Sequence, residues 1–109
     1  MSAILKTWTE IEDIVKAIFN DKARELQELT EKEQAQLKNT TEDMARYLFQ
    51  LQSAKTPADV TRLKEDIASC RSSLEFYSGI AIERLAFQIY DVAYKAICEA
   101  ISAAESAIP

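Results

Sequence analysis

Apolar residues recur along this chain at helical spacing. Ile4, Trp8, Ile11, Val15 and Ile18 come first, followed by Leu26, Leu29, Leu37, Met44, Leu48 and Leu51, at intervals of three, four, seven or eight. No stretch alternates with the period of two that a strand needs, so the pattern predicts helix throughout. The strongest punctuation is Ser53-Ala54-Lys55-Thr56-Pro57-Ala58-Asp59. Thr56 is a good N-cap, Pro57 fits the first helical position, where its missing N–H costs nothing, and Asp59 falls near the positive end of the helix dipole. A helical arm over 3–54 is therefore expected, then a Thr-Pro turn at 55–57. Weaker marks stand at Asn20-Asp21 and at Asn39-Thr40-Thr41-Glu42-Asp43, where Thr40 could cap a new helix with Asp43 three residues on. The stretch between them has only a thin apolar stripe among Glu25, Glu28, Glu31, Lys32 and Glu33, and reads as a solvated helix.

Beyond Pro57 only Gly79 interrupts the helical text. One interior glycine costs about 1 kcal/mol relative to alanine, and the apolar pattern passes it in phase, so a single long helix over 57–106 is predicted, roughly 75 Å in length. Val60, Leu63, Ile67, Cys70, Leu74, Tyr77 and Ala81 form a seam at spacings of three and four, as for packing on a neighbouring helix. Farther on, the pattern broadens. At 100° per residue with Leu74 as zero, Ala81, Leu85 and Val92 fall within about 20° of it, while Phe76, Ile80, Phe87, Tyr94 and Cys98 gather near about 200–240°. Ile82, Ala86, Ile89, Ala93 and Ala96 bridge these stripes on one flank, and Arg84, Gln88, Asp91, Lys95 and Glu99 form a narrow polar strip on the other.

One neighbour cannot cover so wide an apolar arc, and leaving four or five large side chains wet would forfeit on the order of 10 kcal/mol. The second stripe must meet the chain's own N-terminal helices, another copy, or an external apolar surface. The fold class that follows is all-α, a single domain over 1–109 built as a long antiparallel helical hairpin or a helical bundle and completed by oligomerisation. The apolar interaction face is assigned to Phe76, Ile80, Phe87, Tyr90, Tyr94 and Ile101.

Composition removes most other chemistry. There is no His, hence neither the commonest general base nor the commonest metal ligand. A helix-bundle di-iron site would need Glu followed by His, and Ser72, Ser73 and Cys70 have no base to activate them. The carboxylates are interspersed with Lys and Arg on a solvated face rather than paired in distinct environments. No catalytic, cofactor or metal site is expected, and the chain reads as non-enzymatic. Trp8, Tyr77, Tyr90 and Tyr94 read as core or interface aromatics rather than a ligand cage. With 13 basic and 18 acidic residues the net charge is −5. Neither half is basic, so a nucleic-acid partner is not expected. Glu10, Glu12 and Asp13 come too early for a signal peptide, and no uncharged run is long enough to span a membrane. Cys70 and Cys98, about 42 Å apart on one helix, would be free thiols in a reducing, cytoplasmic setting.

The residues around the Thr-Pro turn carry a family resemblance. Gln50-Leu51-Gln52-Ser53-Ala54-Lys55-Thr56-Pro57-Ala58-Asp59-Val60, then Leu63, then Leu74-Glu75-Phe76-Tyr77-Ser78 and the alanines Ala93 and Ala96, resemble the phasin family over roughly Leu37 to Ile101. The resemblance implies a small, cytoplasmic, granule-associated protein, often a homo-oligomer, that coats polyhydroxyalkanoate storage granules and limits their coalescence. On that reading Phe76, Ile80, Phe87, Tyr94 and Ile101 adsorb to hydrophobic polymer. The alternative is a helical, self-assembling adaptor that uses the same face for itself or a protein partner.

Overall fold

A computed structural model describes residues 5–76 and 79–106, side chains excepted at 75, 76 and 103–106. Among the described residues every regular element is helical: α1 (Trp8–Asp21), α2 (Ala23–Leu26), α3 (Glu31–Leu51), α4 (Pro57–Ser72), a 3-10 turn (Ser73–Phe76) and α5 (Ile80–Ser106). The all-α class is as expected. Ile4, Tyr77 and the side chain of Phe76, all used in the sequence reading, lie outside the described part.

Three helices begin at threonine caps. Thr7 Oγ1 accepts from Glu10 N–H at 3.2 Å while Thr7 N–H donates to the Glu10 carboxylate at 3.3 Å. The same reciprocal pair joins Thr30 and Glu33 at 3.1 and 2.9 Å. Each box satisfies two N–H groups that the first turn leaves without partners. Thr56 caps α4 by accepting from Asp59 N–H at 3.1 Å, with Pro57 at the first position, as its sequence foretold. The arm over 3–54 is broken: α1 ends at Asp21, where the weak mark Asn20-Asp21 stands, and the Thr30 box opens a new helix. The chain kinks at Lys22 and turns at 27–30, and Leu26 and Leu29 point inward there, so the stretch read as a solvated helix is two helices joined by a turn anchored in the core. Asn39–Asp43 is no boundary: α3 runs straight through it, because Leu37, Thr41, Met44, Ala45 and Leu48 are buried along one face. The arm ends at Leu51, three residues before Ala54.

The larger correction concerns the long helix. It does not run from 57 to 106. It stops at Ser72, tightens into the 3-10 turn and restarts at Ile80 after Gly79, whose φ is +88°. Such a φ suits glycine because it has no Cβ to clash with its own backbone. The reversal lays α5 back over the rest of the chain, which measures 48 × 28 × 17 Å and could not contain a 75 Å rod. Helix α3 packs against α1, α4 and α5, and α1 also meets α5. Their shared core includes Ile11, Leu37, Met44, Ile67, Leu74, Ile89 and Ile97, with Ala45, Ala86 and Ala93 fully covered where helices approach closely. Cys70 and Cys98 are free thiols, though not through separation along one helix, since they belong to α4 and α5. The segment that leads into α1 is also tied down. The Gln52 side-chain amide accepts from Lys6 N–H at 3.0 Å and donates to Lys6 C=O at 2.6 Å, fixing the entry to α1 against the end of α3.

Two substitutions test this account. Gly79→Ala would stabilise an uninterrupted helix by about 1 kcal/mol. At φ +88° it should instead destabilise by about 1–2 kcal/mol in urea unfolding, although an added Cβ would meet nothing within 4 Å. Thr41 Oγ1 is buried with no hydrogen-bond partner among the described residues. Replacing it with the isosteric Val should raise the unfolding free energy by about 1 kcal/mol in the same assay.

Candidate functional site: a groove along helix α5

The reversal decides which part of α5 is buried. Its most covered residues are Ala86, Ile89, Tyr90, Ala93 and Ile97, which centre near about 120° on the wheel used above. The two apolar stripes are thus the margins of one broad buried face. On one margin Leu85 is half-buried and Val92 43% exposed. The other carries the sequence-assigned face, with Ile80, Phe87, Tyr94 and Ile101 at strict seven-residue spacing. Ile80 is 72% and Tyr94 40% exposed, and Phe87 and Ile101 are half-buried.

Tyr90 does not belong to that margin, and its assignment to an exposed face is corrected here. It lies about 20–80° round the helix toward the core, is 1% exposed, and its hydroxyl donates to Ile67 C=O at 3.2 Å. Burial raises its pKa strongly, the nearby Cys70, Asp91 and Tyr94 adding to the shift. Burial, with Asp43 and Asp66 close by, also pushes the Cys70 thiol up to about 11, which keeps it protonated and unreactive near neutral pH.

Between the assigned margin of α5 and the facing helices runs a groove. Its larger part, about 400 Å³, has a floor of Leu48, Leu51, Ile67, Ala68, Tyr90 and Tyr94, with Lys64, Arg71 and Asp91 on its rim. A smaller hollow of about 170 Å³ shares Leu48 and Leu51 and continues past Cys98 to Ile101 and Ser102. All the charge sits at the first part, and the second has none. Arg71 defines that end. It grips Asp91 with two hydrogen bonds of 3.1 Å each and lays its guanidinium 4.7 Å from the centre of the Phe87 ring. Both partners of this pair are about half exposed, so it is worth about 1 kcal/mol or less. Lys64 makes no ion pair among the described residues.

No protein-family model, curated protein or solved structure matches the chain. Its function must be argued from this geometry. Among the described residues no three acidic or cysteine side chains are grouped to hold a metal ion, and no helix is long and apolar enough to cross a membrane. Elsewhere Trp8 packs edge-on against Phe49, centroids 5.9 Å apart, under the Arg46 guanidinium, which makes it a structural aromatic. The sequence reading missed Lys64, Arg71 and the α3 leucines as groove residues. Lys64, Ile67, Ala68 and Arg71 do share one helical face by spacing, but only the reversal after Ser72 turns that face toward Tyr94.

The buried phenol and thiol carry a pH dependence. Their folded-state pKa values lie above the ordinary values of 10.0 and 9.0, so the unfolded chain ionises first and stability falls as pH rises from about 9. The urea midpoint should decline between pH 9 and 11, and Cys70→Ala should lessen the lower part of that decline, to which burial of the Cys98 thiol also contributes. A midpoint flat across this range would contradict the burial of both groups.

Proposed function

We propose that this chain is a non-enzymatic helical assembly protein that joins a second copy of itself or a protein partner through the α5 margin of Ile80, Phe87, Tyr94 and Ile101. The observation that carries the reading is the exposure of Ile80 and Tyr94 on one line of a helix whose neighbouring face is already buried. A line of apolar residues every seven positions is the kind of seam a second helix covers. Phe87, midway along it, is half-buried and lies beneath the Arg71 guanidinium, whose pairing with Asp91 is solvent-exposed and weak.

A phasin-like coat on polyhydroxyalkanoate granules, in the cytoplasm, is the second reading. It draws on the residues of the Thr-Pro turn and on Val92, 43% exposed on the opposite margin, which would widen the adsorbing surface. A narrow seam suits a helical partner better than a flat polymer, so assembly is placed first.

The double substitution Ile80→Ser, Tyr94→Ser separates the two. Both side chains are solvent-facing, so far-UV circular dichroism should be unchanged. On the assembly reading, light scattering shows the particle mass falling to that of one chain, with association weakened at least about tenfold. On the coat reading, mass is unchanged and adsorption to poly(3-hydroxybutyrate) beads is lost. A wild-type chain that is monomeric, captures no helical partner and leaves the beads bare would overturn both.

A further inference from the structure

The groove shares Tyr94 and Ile101 with this margin and carries a second conclusion beside the assembly reading. Its larger part lies within the range of small-molecule sites, with an apolar and aromatic floor and few polar groups, as such sites are built. A protein-sized occupant would need roughly 800 Å² on each side. Yet Tyr94 is the only large apolar residue of the groove that is also well exposed among the described residues. The charge is segregated. Asp91 is neutralised by Arg71, which leaves Lys64 as the uncompensated rim charge, level with Tyr94, on a chain of net charge −5. Tyr94 lines the charged part, and Ser102, eight residues or about 12 Å farther along α5, lines the uncharged one. A cation at the head of a short apolar channel is complementary to a single-chain amphiphile with an anionic head.

We infer that this groove binds a medium-chain carboxylate of the fatty-acid class, its carboxylate at Lys64 and its tail over Leu51 and Cys98 toward Ile101. The carboxylate gains a charge-assisted contact at the rim, and the tail leaves water along the hollow. Each methylene that enters strengthens binding about fourfold, until the chain outgrows the groove.

Isothermal titration calorimetry of the full chain with dodecanoate at pH 8, below its micelle concentration, tests this. One site per chain is expected. Decanoate, two methylenes shorter, should bind about sixteenfold more weakly, and dodecyltrimethylammonium, with the same tail and the opposite head, at least tenfold more weakly. Lys64→Glu should weaken dodecanoate at least tenfold. Ala68→Trp, which fills the cleft from an exposed position, should abolish the site with the helical circular dichroism intact. Equal binding of the two head groups, or unchanged binding by the Ala68→Trp chain, would overturn the inference. So would a chain that takes up no dodecanoate but loses an oligomer when Lys64 or Ala68 is changed, since the occupant would then be a second copy.

Discussion

The reversal between α4 and α5 is the constraint on which the rest depends. It uses the one glycine of the chain, at the one described position of positive φ. Because α5 folds back, Tyr90 reaches Ile67, 23 residues earlier, and Arg71 reaches Asp91, 20 residues later. Neither contact is possible along a continuous helix, where 20 residues span about 30 Å. The same reversal gives the wide apolar arc of α5 three neighbours, α1, α3 and the 3-10 turn, in place of one. The hydrophobic free energy that a straight rod would leave in water is thus recovered within the chain.

That recovery changes what the second stripe can mean. When the two stripes are taken as opposite faces, each demands a separate partner. They are instead the edges of one face, whose middle is filled by Ile89, Tyr90, Ala93 and Ile97. What stays uncovered on the assigned margin is a line, with Ile80 and Tyr94 open, Phe87 beneath a guanidinium and Ile101 at the end of the hollow, while Val92 is open on the opposite margin. A line fits another helix or an elongated ligand, and a broad coat would need additional surface.

Local signals in the sequence were sufficient wherever the structure is decided locally. Helical periodicity fixed the class, and Thr56-Pro57-Ala58-Asp59 located the start of α4, because a cap acts within one turn. Thr7-x-x-Glu10 and Thr30-x-x-Glu33 carry an equally legible signature, and the second marks the break that the polar run at 21–43 concealed. The competing mark at Thr40 fails because Thr41, Met44 and Leu48 supply tertiary burial that keeps the helix running. Gly79 shows the limit of such reasoning. Its helix-breaking cost of about 1 kcal/mol is too small to decide the matter. The decision came from long-range burial of Tyr90 and its neighbours, which outweighs a propensity of that size. The groove inherits that limit, since Lys64 and Arg71 face Tyr94 only once the reversal has formed.

The site is also separable from the stability of the fold. Tyr90 and Ile67 form the groove's floor and belong to the core, so they are bound to the cost of unfolding. Lys64, Ala68, Ile80 and Tyr94 are exposed, and the Arg71–Asp91 pair is a surface contact of small net worth. The positions that would choose a partner or ligand are thus solvent-facing, beside floor residues, Tyr90 and Ile67, that belong to the core. Rim side chains can rearrange around an occupant at a cost of about 1 kcal/mol, while the floor they rearrange over is held by a core whose members cost several times that to disturb. A chain this small has little stability to spare, so substitution at these exposed positions costs it far less than substitution in the floor.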